Sequence, residues 1–414
     1  MTKNNYLFPF IMITSLFFMW GFVHNLDPVL IPHLKRSFSL NTLQATLVDS
    51  AVFIAYFVMA LPAGFLLKKY GYKTGIIVGL SFFAVGSFLF IPAANTQLYV
   101  FFLGALFIIA CGLTILETAA NPYASLLGPP ETATFRLNFA QMFNGLAASL
   151  APVIGARVIL IEGLSDDQLS TMSASARELA LASEASSVKT PYLILGGIIL
   201  LITIIFIFIK LPEIKEQEEV AGEKIGVLEA FKHNHLTWAV VAQFFYVGAQ
   251  VCVFSLFLLY ATKVTGINQK TAADYLGGAG LAFLIGRVIG TFLMRFFKPV
   301  MLLAIYSVIS IALCIVAITA SGMVALFSVI GIAFFMSIMF PTIFSLGIKD
   351  LGKDTKFGSS LIIMSIVGGA ILPPIMGYIT DLTGTIQMGY FVPLICFVMV
   401  LLFAVKGHKV IKTV

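Results

Sequence analysis

From Pro299 to Ile348 the chain runs 50 residues without one Asp, Glu, Lys or Arg, and from Thr74 to Leu116 it runs another 43. A helix on a wet surface needs a charged or polar face, and these stretches have none to offer. The whole composition follows suit. Hydrophobic residues make up 59% and charged residues 11% of the 414, where a soluble globular chain carries roughly 25% charged residues. The bilayer must therefore be the solvent for most of the protein. The formal net charge of +6 becomes a question of placement across the membrane, and no nucleic-acid partner is expected. Cys111, Cys252, Cys314 and Cys396 all stand in apolar runs without a CxxC spacing, so neither a disulfide framework nor a metal cluster is indicated. No cofactor is implied.

A membrane-spanning helix needs about 20 mostly apolar residues. Asn4–Leu26, Ser50–Leu67, Leu137–Ala156, Thr190–Ile209, Leu236–Thr262, Phe357–Thr380 and Leu382–Val405 each read as one span. The first of them reads as a retained span and not a cleaved leader. Thr74–Leu116 and Pro299–Ile348 are too long for one crossing. Ala94-Asn95-Thr96-Gln97 and Ala320-Ser321-Gly322 divide each into two. Ala272–Phe297 is a further span despite Arg287. The reading is an all-α membrane protein of twelve transmembrane helices. Outer-membrane strands do not fit, because alternation at period two is missing. Lys35, Arg36, Arg157, Arg177, Lys189, Lys263 and Lys270 fall on one side and Arg287 inside a span. The remaining 17 of the 25 Lys and Arg fall on the other side, with the termini. The positive-inside bias then places both termini in the cytoplasm.

The charge-rich stretch Lys210–Lys232 divides the spans six and six, which gives an amino-terminal bundle over 1–210, a linker over 211–235 and a second bundle over 236–414. Glu162–Lys189 reads as an outer loop with a short surface helix. The halves rhyme at an offset of 222 residues. Phe135, Met142, Ala148, Leu150, Pro152 and Gly155 meet Phe357, Met364, Ala370, Leu372, Pro374 and Gly377. Two related six-helix halves with a site near the midplane are the architecture of a secondary transporter.

Of the 19 acidic residues, only Asp27 and Glu117 sit deep in apolar runs. A charged side chain at the centre of a span costs about 2.5–3.5 kcal/mol on insertion scales, and intramembrane acids mark proton or substrate paths. Both are read as proton-coupling residues, against the plainer alternative of a protonated carboxyl bonded to a neighbouring helix. Glu117 and Asn121 stand four apart and share a helix face with Thr114; Gln141 and Asn144 stand three apart; Gln243, Tyr246 and Gln250 follow a 0, 3, 7 spacing. A carboxylate accepts, an amide donates and accepts, and Tyr offers hydroxyl and ring. Such a set suits a polyhydroxylated ligand, although interhelical polar contacts alone would also use amides. His24 and His33 flank Asp27, as relay or as bonded interface residues, and Arg287 reads as a brace of the cytoplasmic gate, with pairing to an acid the alternative. Pro28 and Pro32 break the helix beside Asp27.

Leu116-Glu117-Thr118-Ala119-Ala120-Asn121-Pro122, then Phe135-Arg136-Leu137-Asn138 and Gln141-Met142-Phe143-Asn144, resemble the fucose:proton symporter family of the major facilitator superfamily. So do Phe340-Pro341-Thr342-Ile343-Phe344-Ser345-Leu346-Gly347-Ile348-Lys349 and the segment Ala242–Gln250. The resemblance implies two six-helix bundles, alternating access and proton-driven uptake of a monosaccharide, L-fucose first. It also implies a bacterial inner membrane, with a monomer expected. It implies that Glu117 serves both sugar and proton, that Gln141 and Asn144 contact sugar, and that Asp27 is the second proton-linked acid. The family reads Asn-Leu-Asn-Asp where this chain reads Asn25-Leu26-Asp27-Pro28, so the acid stands one position early. Glucose, galactose or another hexose, with sodium coupling or none, is the alternative within transport. A polytopic enzyme acting on lipid-linked sugar is a remote one, since no nucleophile–base pair, metal cluster or phosphate loop is legible.

Overall fold

A computed structural model describes residues 6–25, 34, 38, 42–96, 98–159, 171–186, 188–212 and 227–410. Helix α1 is Leu7–His24. The helical stretch Thr42–Thr96 is two helices, α2 (42–70) and α3 (72–96), parted at Gly71 with φ 78°. A side chain is strained at that φ, so glycine makes the turn there. Helix α4 is Tyr99–Leu126, α5 is Ala133–Ile159 and α6 is Lys189–Phe208. In the second half, α7 runs Asn234–Ser255 and resumes as Phe257–Thr265; α8 is Gln269–Leu293; α9 is Pro299–Thr319. Helix α10 is Gly322–Met336 with Met339–Gly347, α11 is Thr355–Met364 with Gly368–Thr383, and α12 is Phe391–Leu402. These are twelve crossings, as the charge-free runs lead one to expect.

Helices α1 to α6 pack among themselves, with α4 against α2 and α3, α6 against α3, and α1 against α5. Helix α7 packs on α11 and α12, and α10 on α8 and α9. Small residues let these helices approach, as membrane packing requires: a Cβ on Gly112 of α4 would stand 2.6 Å from the Gly79 carbonyl oxygen of α3. The outward surface is apolar, with Val100, Phe208 and Tyr378 exposed, which is the correct finish for a wall facing lipid. Between the halves, α5 lies on α8 and α10, while α11 lies on α2 and α4. The 222-residue offset pairs α5 with α11, and the two make matching contacts across the seam.

The connection between α5 and α6 carries a helix at Ala174–Ser186. Of the linker, Lys210–Pro212 and the short helix Val227–Ala230 are described, and residues 213–226 are not. Tyr123 of α4 donates to the Pro212 carbonyl at 2.8 Å and ties the start of the linker to the bundle.

Candidate functional site

With twelve crossings, the start of α1 and the end of α12 share one side of the membrane, and on that side the halves are shut. Thr134 Oγ1 of α5 and Ser345 Oγ of α10 lie 2.9 Å apart, and Asn138 Nδ2 donates to Thr342 Oγ1 at 3.3 Å. Ser359 of α11 donates to the Thr118 carbonyl of α4 at 2.8 Å. Phe65 of α2 meets Phe357 of α11 edge-on, with the Lys68 ammonium 5.9 Å from the Phe357 ring centre. The long motif strings of α4, α5 and α10 thus form one floor. Arg136 completes it, donating to the carbonyls of Ala124, Ser125 and Pro129, which binds the end of α4 that its own ladder leaves open.

Above this floor, between the halves, is a cavity of about 260 Å³. Glu117 stands in its wall, nine residues or about 14 Å from the end of α4, close to the middle of a hydrocarbon core of about 30 Å. It is 9% exposed, and the Tyr56 hydroxyl donates to its Oε1 at 2.5 Å. Gln141 and Asn144 of α5 and Gln250 of α7 share the wall, with His24 of α1 opposite apolar Phe254 and Val251. Gln141 Nε2 donates to Asn121 Oδ1 at 3.2 Å. Asn121, Gln243 and Tyr246 lie outside the lining, fully buried. Both amide atoms of Gln243 lack a partner among the described residues. Asp27, with Pro28, Pro32 and His33 around it, lies outside the described residues.

Arg287 is buried in the cavity wall. Its Nε donates to the Ser337 carbonyl at 2.9 Å and its Nη1 to the Gln141 carbonyl at 2.8 Å. The first bond has a plain cause. Four residues after Ser337 stands Pro341, which has no N–H, so the Ser337 carbonyl needs a donor from elsewhere. Arg287 therefore braces α8 to α10 and, across the seam, to α5.

Spacing alone does not single out Tyr56. Its signal was available: apart from Ser50, it is the only hydroxyl-bearing residue in the apolar run Ser50–Leu67. Trp20, Phe53 and Phe340 also line the cavity, but an aromatic residue in a chain with 39 Phe carries no mark of its own. Among the described residues no three His, Cys, Asp or Glu stand together as metal ligands.

Twelve apolar helices in two packed halves, closed at one end over a small polar cavity with a carboxyl in its wall, define a membrane transporter. The model of the Major Facilitator Superfamily matches residues 10–365, and the chain belongs to that superfamily. It is 43% identical to the L-fucose-proton symporter of Escherichia coli K12 over 97% of this chain and 93% of that one. It is 40% identical to a glucose/galactose transporter of Brucella abortus over 99% of this chain and 96% of that one. A crystal structure of the E. coli fucose:proton symporter superposes with a TM-score of 0.90 at 42% identity, covering 97% of this chain and 98% of that chain. A superfamily transporter solved in an outward conformation gives 0.90 at 43%, covering 96% and 98%.

Proposed function

We propose that the protein imports a monosaccharide, L-fucose first, together with protons by alternating access. The single observation that carries this reading is the Glu117 carboxyl, held by Tyr56 in the wall of a polar cavity between the halves. The names of the fucose-proton relatives support the cargo and the ion. With both termini in the cytoplasm of a bacterial inner membrane, the closed floor is the inner gate. The carrier then stands ready to load from outside. The bundles divide as 1–210 and 236–414 around the linker, and the chain works as a monomer.

Sugar enters beside Gln141, Asn144 and Gln250, whose amides donate to and accept from its hydroxyls. Glu117 accepts a ring hydroxyl and takes the proton, with Asp27 as the second acid. Asn121, Gln243 and Tyr246 lie one or two helical turns closer to the floor than Glu117 and Gln250. They are the polar path that opens when the inner gate parts. A buried, unmatched amide costs about 1–3 kcal/mol, so the orphaned Gln243 favours a second state in which it finds water or sugar.

The test is uptake of labelled fucose into proteoliposomes with the internal pH recorded. Sugar entry is expected to acidify the lumen. Replacing sodium by potassium at fixed pH is expected to leave the rate unchanged; a rate that follows sodium would transfer the coupling to that ion. Gln250→Ala removes one hydrogen-bonding partner, worth about 0.5–1.5 kcal/mol net. KM is expected to rise roughly two- to twelvefold, by the conversion of about 1.4 kcal/mol per decade. The final accumulation ratio should stay the same, because stoichiometry and not affinity sets it. An unchanged KM would remove Gln250 from the sugar site.

A further inference from the structure

A second and larger hollow lies apart from the sugar cavity, lined by α1, α5 and Ile202 of α6, with Arg295 just past α8 at one end. Its volume is about 670 Å³. Phe10 and Phe18 of α1 and Phe139 and Phe143 of α5 line it, the Phe10 and Phe139 ring centres 6.0 Å apart at its base. Along α1 it extends from Leu7 to Met19, about 18 Å at 1.5 Å per residue. One leaflet of a hydrocarbon core of about 30 Å is nearly that deep. The groove is therefore as long as one leaflet, apolar along its length and basic at the end that lies level with the headgroups.

Arg295 follows the last turn of α8 and is exposed. Its guanidinium lies 5.1 Å from the ring centre of Phe135 on α5 and 5.8 Å from that of Phe292. It makes no side-chain hydrogen bond or ion pair among the described residues, so its donors face outward unused. Arg136 nearby adds positive charge but spends its donors on the floor carbonyls. Thr14, 6% exposed in the groove wall, holds a hydroxyl with no partner. A planar fork of free donors suits phosphate geometry, and the apolar trench suits an acyl chain. A water-filled role would need polar walls, and these are phenyl rings.

We propose that this groove holds one anionic phospholipid of the termini-side leaflet, its phosphate on Arg295 and one acyl chain lying lengthwise over the rings that α1 and α5 present. Because Arg295 belongs to the second half and rests on a ring of the first, the bound lipid spans the seam on its closed side. Parting the floor draws α8 from α5 and splits the site. The lipid therefore favours the state described above and slows opening on the termini side.

The test takes the full-length protein in detergent with equal phosphatidylglycerol and phosphatidylcholine of identical chains, and weighs the lipid retained by native mass spectrometry. The wild type should keep phosphatidylglycerol in preference. Arg295→Ala should cut that preference about fivefold, the share of one interfacial cation, and Arg295→Lys should restore part of it. Ser15→Trp, which fills the trench from its lipid-facing side, should lower retention of both lipids. Sugar uptake by Arg295→Ala in pure phosphatidylcholine vesicles should match the wild type, which shows an intact fold. Equal retention of the two lipids by the wild type would overturn the proposal. So would retention unchanged in both Arg295→Ala and Ser15→Trp, or a lipid-free dimer covering the groove.

Discussion

Glu117→Gln is expected to abolish uphill uptake while leaving sugar exchange in place. The wild-type drive is large enough to make the loss plain. A potential of 100 mV supplies about 2.3 kcal/mol per charge, and one pH unit supplies about 1.4 kcal/mol. At one proton per sugar the two together sustain accumulation of several hundred-fold. Glutamine is close to glutamic acid in shape and remains neutral, so Tyr56 keeps an acceptor for its hydroxyl. The variant can close over sugar and turn, because no bare carboxylate has to be occluded. It cannot collect a proton on one side and lose it on the other. The accumulation ratio should fall from several hundred to about one, and equilibrium exchange of labelled against unlabelled sugar should persist. Proteoliposomes under an imposed gradient measure the first, and preloaded vesicles the second. Full concentrative uptake with proton flux intact would take the proton away from Glu117 and leave it to Asp27.

The same variant separates two readings of the buried acid. If Glu117 only ties α4 to α2 through Tyr56, its amide should behave like the wild type in every transport assay. If it carries the proton, coupling alone should fail. Loss of exchange as well would show a carboxylate required for sugar itself.

Much of this arrangement could be read from residue order. The spans were legible because Phe, Leu, Ile and Val fill them and Lys, Arg, Asp and Glu mark their ends. The division of α2 from α3 at Gly71 is bracketed by Lys68, Lys69 and Lys73. The site was legible by face but not by depth. A spacing of 0, 3, 7 places Gln243, Tyr246 and Gln250 on one side of α7, and only Gln250 reaches the cavity. The other two are lower on the same face, where the halves are pressed together, and Asn121 stands one turn lower than Glu117 for the same reason. Periodicity fixes an angle around a helix; which level is open depends on the state of the carrier. Nothing in the sequence neighbours of Arg295 announces that it rests on the Phe135 ring of the other half.

Gly64→Leu should arrest the carrier with the floor parted. Gly64 of α2 faces α11 where the halves meet, and a Cβ there would stand 2.2 Å from Ser360 Oγ and 3.3 Å from a Phe357 ring carbon. Turning the Ser360 hydroxyl aside gives up its bond to the Lys356 carbonyl at 3.0 Å and still leaves the Ser360 Cβ 3.2 Å away, and Phe357 is held edge-on by Phe65. The helices must separate, and Ser359 then loses its bond to the Thr118 carbonyl. The contact exists only in the closed-floor state, so the strain falls on that state and not on the folded bundles. Overpacking of this kind costs about 1–3 kcal/mol, which moves a near-balanced two-state equilibrium about five- to a hundredfold. Uptake should fall by a similar factor while the purified protein stays monodisperse. A cysteine placed at Ser345, buried in the floor, should label slowly with a membrane-impermeant maleimide in the wild type and fast in Gly64→Leu. The milder Gly64→Ala should be rescued by Ser360→Gly, which removes the atom it strikes. Slow labelling in Gly64→Leu, or no rescue in the pair, would show that the α2–α11 contact does not set the position of the floor.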